Sequence, residues 1–419
     1  MGALSTYKHT QPYNETQATM NTNNTFYCGL MLIMLMAINP LAALAQAPQK
    51  ASNNLTEQPI GTIVELGEKL FFDTNLSNNR SQACATCHAP SHGFADPRDN
   101  GVGGSASLGD DGKSLGDRNT PAIGYARFAP GFAQDPEGNF HGGQFLDGRA
   151  RDLKEQAGGP ILNGIEMGLP SKAALLERLN ENPRYVDAFK TLFSDDTLKT
   201  EDNAFMAVTT ALEYFEKSDF FAAFDSKYDR YLKGEYLLTK QEDLGMTIFF
   251  SQQFSNCHAC HQLNARPSAP NETFSDYSYH NIGVPENTRL RQANGLNKGY
   301  QDKGLFHNPS INDESLAGKF KTPSLRNVAV TGPYMHNGVF QDLRTVVSFY
   351  NKYNSKSAAR QINPETQQEW ASPEVPENIS LQELREGPAL DDRRIDALVA
   401  FMNLLTDKQF EHLTPLSSP

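Results

Sequence analysis

The sequence predicts an all-α fold, loop-rich and built as two halves related by internal duplication. Three observations carry this. Apolar residues recur at three- and four-residue spacing in several segments. No run of alternating β-branched residues suggests a sheet. Four short motifs occur twice in the same order at long period, which implies two homologous domains rather than a solenoid of short repeats. With 419 residues, 38% hydrophobic and 21% charged, the chain is long enough for two or three cored domains and is neither disordered nor fibrous. Its net charge of −12 argues against a nucleic-acid binder, which needs a basic face.

In chain order, residues 1–45 read as a signal peptide. Tyr27 to Ile38 is apolar after its first few residues and too short to span a bilayer comfortably. Asn39-Pro40 then breaks the helix, and Ala43-Leu44-Ala45 is a small-x-small sequence of the kind signal peptidase cuts. Cleavage near Gln46 would deliver the chain to the periplasm with no membrane span remaining. The segment before the apolar run is long, with Lys8 its one clear positive charge; Met20 is an alternative start, and an uncleaved anchor is the competing reading. Residues 46–60 read as a tether and 411–419 as a tail, frayed from Thr414 onward.

Between them lie the repeated motifs. Leu66-Gly67-Glu68-Lys69-Leu70-Phe71-Phe72 is echoed by Leu244-Gly245-Met246-Thr247-Ile248-Phe249-Phe250, both with helical apolar spacing. A cysteine cluster follows each. Thr120-Pro121-Ala122 returns as Thr322-Pro323-Ser324, and His141 to Asp147 returns as His336 to Asp342. Helices are expected over Lys172–Leu179, Ala204–Phe215, Leu343–Tyr350 and Arg393–Leu405. Segments Asp96–Thr120 and Asn264–Asn312, rich in Gly, Asn, Asp and Pro, read as long loops. A boundary near Tyr228–Glu235 separates domains at 61–230 and 231–410.

Of five cysteines, Cys28 leaves with the signal and the other four form Cys84-Ala85-Thr86-Cys87-His88 and Cys257-His258-Ala259-Cys260-His261. Both are Cys-x-x-Cys-His, the c-type haem attachment signature. Two thiols three positions apart on a helical turn can add to the two vinyl groups of one porphyrin, and the adjacent imidazole then faces the iron. A zinc half-site or a redox dithiol is the alternative for a single motif; two motifs in a duplicated, exported chain favour two covalent haem c groups. His92 and His258 read as a loop histidine and a variable position, not as ligands. Each iron's sixth position decides between electron transfer and peroxide chemistry.

From about Gly61 to Thr406 the chain resembles the bacterial di-haem cytochrome c peroxidase and MauG superfamily. The resemblance rests on Leu66 to Asp73, both haem motifs, Arg118-Asn119-Thr120-Pro121, Phe145 to Ala150, Pro323 to Ala329 and Gly332 to Gly338. It implies two cytochrome c-like helical domains, a peroxidatic haem in the first, an electron-relay haem in the second and a calcium ion between them. Fourteen residues after His336, where ordinary members of the family place an axial methionine, this chain has Tyr350, which looks like the MauG branch. A phenolate there would stabilise oxidised iron; the alternative is a core aromatic on a helix. Ser107-Leu108-Gly109-Asp110-Asp111-Gly112 matches the loop that otherwise carries a removable distal histidine, and it contains none.

The resemblance places Gln156 and Glu166 on the distal side of the first haem. A carboxylate there can take a proton from one peroxide oxygen and return it to the other; without the family context, Glu166 reads as a solvated acid at a helix start. By resemblance the calcium ligands are Asn119, Thr331 and Pro333, all through oxygen. The usual inter-haem tryptophan position, just before Asp147, is Leu146, and the single tryptophan, Trp370, lies far along the chain. The expectation is an exported, MauG-like enzyme that reduces hydrogen peroxide at the N-terminal haem. It would draw electrons through the C-terminal haem from a cytochrome c or cupredoxin donor, a small donor or a protein substrate. The alternatives are a detoxifying cytochrome c peroxidase and a non-catalytic di-haem electron carrier.

Overall fold

Two helix pairs of the same design frame the molecule. The computed structural model describes residues 59–414 apart from 265, 267, 297 and 298. The expected signal peptide, Met20, Cys28, nearly all of the tether and the last five residues therefore lie outside the described residues. The chain divides after Glu57, and every described residue belongs to the unit that follows.

The helices are α1 (Ile63–Phe71), α2 (Cys84–Cys87), α3 (Leu153–Leu162), α4 (Lys172–Asn180), α5 (Pro183–Leu192), α6 (Glu201–Glu216), α7 (Lys227–Leu232), α8 (Lys240–Phe249), α9 (Thr288–Ala293), α10 (Leu343–Asn351), α11 (Leu381–Leu384) and α12 (Asp392–Asn403). The four helices expected from periodicity are α4, α6, α10 and α12. α1 begins at a capping box in which the Thr62 hydroxyl accepts the Glu65 N–H and the Glu65 carboxylate accepts the Thr62 N–H. α8 begins the same way, with Thr239 and Glu242.

The glycines explain the pairing. A Cβ on Gly67 would stand 2.0 Å from the Ala211 carbonyl oxygen, and one on Gly245 would stand 1.9 Å from that of Ala397. α1 therefore lies backbone to backbone on α6, and α8 on α12. Around the first pair Leu66, Leu70, Phe71, Val208, Leu212 and Phe215 close a core; around the second, Ile248, Phe249, Ile395, Leu398 and Phe401 do so. Each fully buried side chain of this kind contributes about 1.5–3 kcal/mol. Tyr228 of α7 belongs to the second core.

Three details depart from expectation. The fold is mostly helical rather than all-α: β1 (Ala133–Gln134) pairs antiparallel with β2 (Phe140–His141), and β3 (Tyr279–His280) with β4 (Phe320–Lys321). Ladders of two residues are too short to show alternation, and they arise where crossing loops satisfy each other's backbone groups. The expected loop Asn264–Asn312 contains β3 and α9, whose Asn287 side chain accepts the Leu290 N–H at 3.1 Å. Leu290 is buried with Val102, Ala106 and Leu115 of the other long loop, so tertiary packing makes the helix. Finally, the chain end returns to the first core: Phe410 is 1% exposed and its ring lies 5.8 Å from that of Phe94. The expected tail thus begins inside the 3₁₀ turn Lys408–Leu413.

Candidate functional site: two cysteine motifs on one cavity

Each Cys-x-x-Cys-His folds as a single tight turn. The His88 N–H donates to the Cys84 carbonyl and the His261 N–H to the Cys257 carbonyl, both at 2.9 Å. None of the four cysteines is in a disulfide. Burial pushes all four thiols up, Cys260 to about 12, so they are neutral.

The two imidazoles are held alike. His88 Nδ1 faces the Phe94 carbonyl at 3.4 Å, and His261 Nδ1 faces the Phe274 carbonyl at 3.2 Å. A carbonyl only accepts, so Nδ1 carries the proton and each Nε2 keeps its lone pair for a metal. Both phenylalanines have left-handed backbones, φ 62° and 57°, which turn their carbonyls toward the histidines. Burial holds His88 down to about 4 and lowers His261, so both are neutral, as ligation requires.

Both motifs line one cavity of about 750 Å³, together with Gln156, Glu166 and Tyr350. Its walls therefore bring together the predicted haem, distal and axial residues. Tyr350 is placed by α10: Phe349 turns into the core while Tyr350 faces the cavity. Its phenol is raised by burial first and then by the sulfurs of Cys260 and Cys257, which puts it at the second motif. Among the described residues its hydroxyl has no hydrogen-bond partner, as suits a group that completes the coordination of a bound metal. Two vinyl-reactive cysteine pairs, two free Nε2 atoms and this orphan hydroxyl fit two haem c groups.

At the other end, α3 is capped by Asp152 and carries Gln156 and, inside the helix, Pro160, both on the cavity wall. Glu166 follows, with its N–H on the Asn163 carbonyl and its own carbonyl accepting from Asp110. Burial raises its carboxyl, against Arg149 and Asn163, which lower it. The histidine-free loop is anchored beside this end: its Asp110 N–H holds the Glu166 carbonyl at 2.8 Å, and the buried Asp110 carboxylate accepts from Ser77 and Ser81 hydroxyls at 2.8 and 2.6 Å.

Asn119, Thr331 and Pro333 line the same cavity. The Asn119 N–H donates to the His336 carbonyl at 2.8 Å and its side-chain amide to the Gly104 carbonyl at 3.4 Å, while its side-chain oxygen meets no donor among the described residues. No cluster of three His, Cys, Asp or Glu residues that could hold a metal occurs among the described residues. Leu146 is on the cavity wall. Trp370 packs in a separate cluster, 5.7 and 5.5 Å from the rings of Phe340 and Phe349. His92 bonds the Ser91 hydroxyl at 2.8 Å and, like His258, is absent from the cavity wall.

Several site residues escaped the sequence reading. Glu216, at the end of α6, lines the cavity with no partner for Oε2 among the described residues, and its burial is the main cause of a carboxyl pushed up to about 8. A signal existed: Glu216 follows Leu212 by four positions on an apolar helical face. Lys321 is on the same wall beside Leu146, whose carbonyl accepts the Lys321 N–H at 2.9 Å. Burial holds its ammonium down to about 8. Arg118 bridges Asp147 and Asp302 at 2.6 and 2.5 Å.

A family model described as di-haem cytochrome c peroxidase matches residues 62–236. The methylamine utilization protein MauG of Paracoccus denitrificans is 48% identical over 382 residues, 91% of this chain and 97% of that protein. The cytochrome c551 peroxidase of Pseudomonas aeruginosa is 34% identical over 287 residues, 68% of this chain and 70% of that protein. Among solved structures, the diheme peroxidase BthA from Burkholderia thailandensis matches with a TM-score of 0.74 and 30% identity, over 86% of this chain and 89% of that one.

Proposed function

Because the chain belongs to the di-haem cytochrome c peroxidase family, a family of peroxidase-type enzymes carrying two haem c groups, we propose a MauG-like division of labour between its two haem sites. Hydrogen peroxide is reduced at the haem held by Cys84, Cys87 and His88. Cys257, Cys260 and His261 would hold the second haem, which would supply electron transfer, and the Tyr350 oxygen would be a further donor to it. The observation that carries this reading is Tyr350: a cavity-facing phenol at the second motif, without a hydrogen-bond partner among the described residues.

When bound, the first haem supplies the iron at which the peroxide O–O bond breaks. The chain's residues manage the proton. Glu166, in its carboxylate form, takes the proton from one peroxide oxygen, and burial, which raises its carboxyl, favours holding that proton until it is returned to the departing oxygen. Gln156 orients peroxide with its amide. Leu153, Ala157 and Ile165 line the same wall and limit bulk water.

The paired glycine contacts and the paired His–Phe carbonyl contacts support reading 61–230 and 231–410 as duplicated haem domains. Asn119, Thr331 and Pro333 would hold calcium through oxygen, and the segment 1–45 would direct the protein to the periplasm. The net charge of −12 suits encounter with a basic donor or substrate protein.

Optical and EPR spectra before and after peroxide test the reading. A five-coordinate high-spin haem beside a six-coordinate low-spin one is expected, with a spectral change on adding peroxide. Two six-coordinate irons would instead make the protein an electron carrier. Tyr350→Phe should abolish the low-spin tyrosinate signature and raise the second haem's potential; an unchanged spectrum refutes the ligand assignment.

A further inference from the structure

Tyr125 occupies a position that its backbone makes costly. It precedes the 3₁₀ turn Ala126–Phe128 with φ 64° and ψ 7°, the left-handed region that bulky side chains rarely adopt. It stands five residues after Thr120, and its counterpart five residues after Thr322 is Asn327, at φ 61° and ψ 13° before Val328–Val330. Asparagine suits that backbone.

Both side chains converge on one carboxylate. The Tyr125 hydroxyl donates to Asp407 Oδ1 at 2.5 Å, and Asn327 Nδ2 donates to Oδ2 at 2.9 Å. The Asp407 N–H returns to Asn327 Oδ1 at 2.8 Å. In the second half an amide suffices to hold Asp407, so holding does not explain a strained phenol in the first. What the phenol adds is an oxidisable ring whose proton is already aimed at a base. The guanidinium of the buried Arg326 lies 5.3 Å from the Tyr125 ring centroid and opposes a cationic ring, so an electron leaves this ring only together with the proton. The Phe224 N–H, at 3.0 Å, remains to stabilise the oxygen afterwards.

Short connections link Tyr125 to both haem motifs. The Phe94 carbonyl that faces His88 also accepts the Ile123 N–H at 3.3 Å, two residues from Tyr125. Through Asp407, Tyr125 is joined to Asn327, four residues after Pro323, whose carbonyl stands beside His261. Tyr125 also lines the shared cavity. Leu146 offers no oxidisable ring on this wall, and Trp370 packs elsewhere.

We propose that Tyr125 is a redox-active tyrosine that returns an electron to the peroxide-oxidised first haem, with Asp407 accepting its phenolic proton. One electron passes from the ring to the haem, which is reduced by one equivalent. The O–H bond breaks as the proton moves to Asp407 Oδ1, leaving a neutral tyrosyl radical hydrogen-bonded to an aspartic acid. An electron from the second haem and return of the proton restore the pair. The proposal rests on the peroxide reading of the first haem.

The test is freeze-quench EPR of the haem-loaded protein with one equivalent of hydrogen peroxide, beside optical spectra. The unaltered protein should show a radical that narrows when ring-deuterated tyrosine is supplied. Tyr125→Phe should keep the optical response and lose that radical. Asp407→Asn, which keeps the acceptor oxygen but not the base, should lower it by at least about tenfold. Undiminished radical in either variant, or an optical response without a radical in the unaltered protein, overturns the proposal and leaves the peroxide reading standing. Absence of any optical response removes both. If Tyr125→Phe does not fold, Asp407→Asn decides alone.

Discussion

Gly67 of α1 meets the Ala211 carbonyl of α6 so closely that a methyl group at Gly67 would stand 2.0 Å from the oxygen. The obstacle is helix backbone, which cannot rotate aside. Gly67→Ala should therefore separate α1 from α6 and cost about 3 kcal/mol or more, the upper range for overpacking. Denaturant titration of the haem-loaded protein measures it, and Gly245→Ala should behave alike against Ala397. A loss below about 0.5 kcal/mol, the range of a surface change, would show that the helices are not locked.

Glu166 should separate chemistry from binding. Glu166→Gln keeps the size and removes the proton carrier, so the rate of the peroxide reaction should fall by about 10²–10⁴. The resting spectra of both haems should be unchanged, since Glu166 holds neither. Stopped-flow mixing with peroxide reads the rate, and a variant as fast as the parent would exclude Glu166 from proton transfer.

Glu216 makes stability depend on pH. Its folded carboxyl is raised to about 8 and its unfolded one titrates near the ordinary value of about 4.3. Between these values the folded state holds a proton that the unfolded state has released, so this group's contribution is fully present below about 4.3 and is lost as pH rises to about 8. Glu216→Gln, which keeps the neutral form at every pH, should be more stable than the parent at pH 8 by a few kcal/mol and nearly equal to it at about pH 4–5. Urea midpoints across this range test the slope, and parallel curves would contradict it.

Phe410 ties the chain end to the first core. Its ring lies edge-on to Phe94, whose carbonyl faces His88. Phe410→Ala should cost about 3–5 kcal/mol, as for other buried phenylalanines. Thermal unfolding of the variant beside the parent measures the loss, and an unchanged midpoint would show that Phe410 does not hold the chain to this core.

Local spacing is what the sequence reading saw well. The Cys-x-x-Cys-His turns and α4, α6, α10 and α12 follow from residues a few positions apart, because helical geometry converts sequence interval directly into direction, whereas Tyr350 was singled out by the family resemblance. The match between Gly67 and Gly245 was likewise visible as a repeated Leu-Gly, though not the carbonyls they approach. Strands of two residues and the short α9 were not visible, since each is too brief for any period and exists only through its partner.

By itself, then, the sequence determined two Cys-x-x-Cys-His turns and a mostly helical framework, and the family resemblance added an axial tyrosine candidate. Only the tertiary structure decided that both motifs share one cavity, that Glu216 is buried there with its Oε2 unpartnered among the described residues, and that Tyr125 meets Asp407 across 282 positions. The physical reason is the range of the interactions. Backbone geometry carries information over a turn or two of helix, whereas burial and long-range hydrogen bonds depend on which distant segments the packed cores bring together.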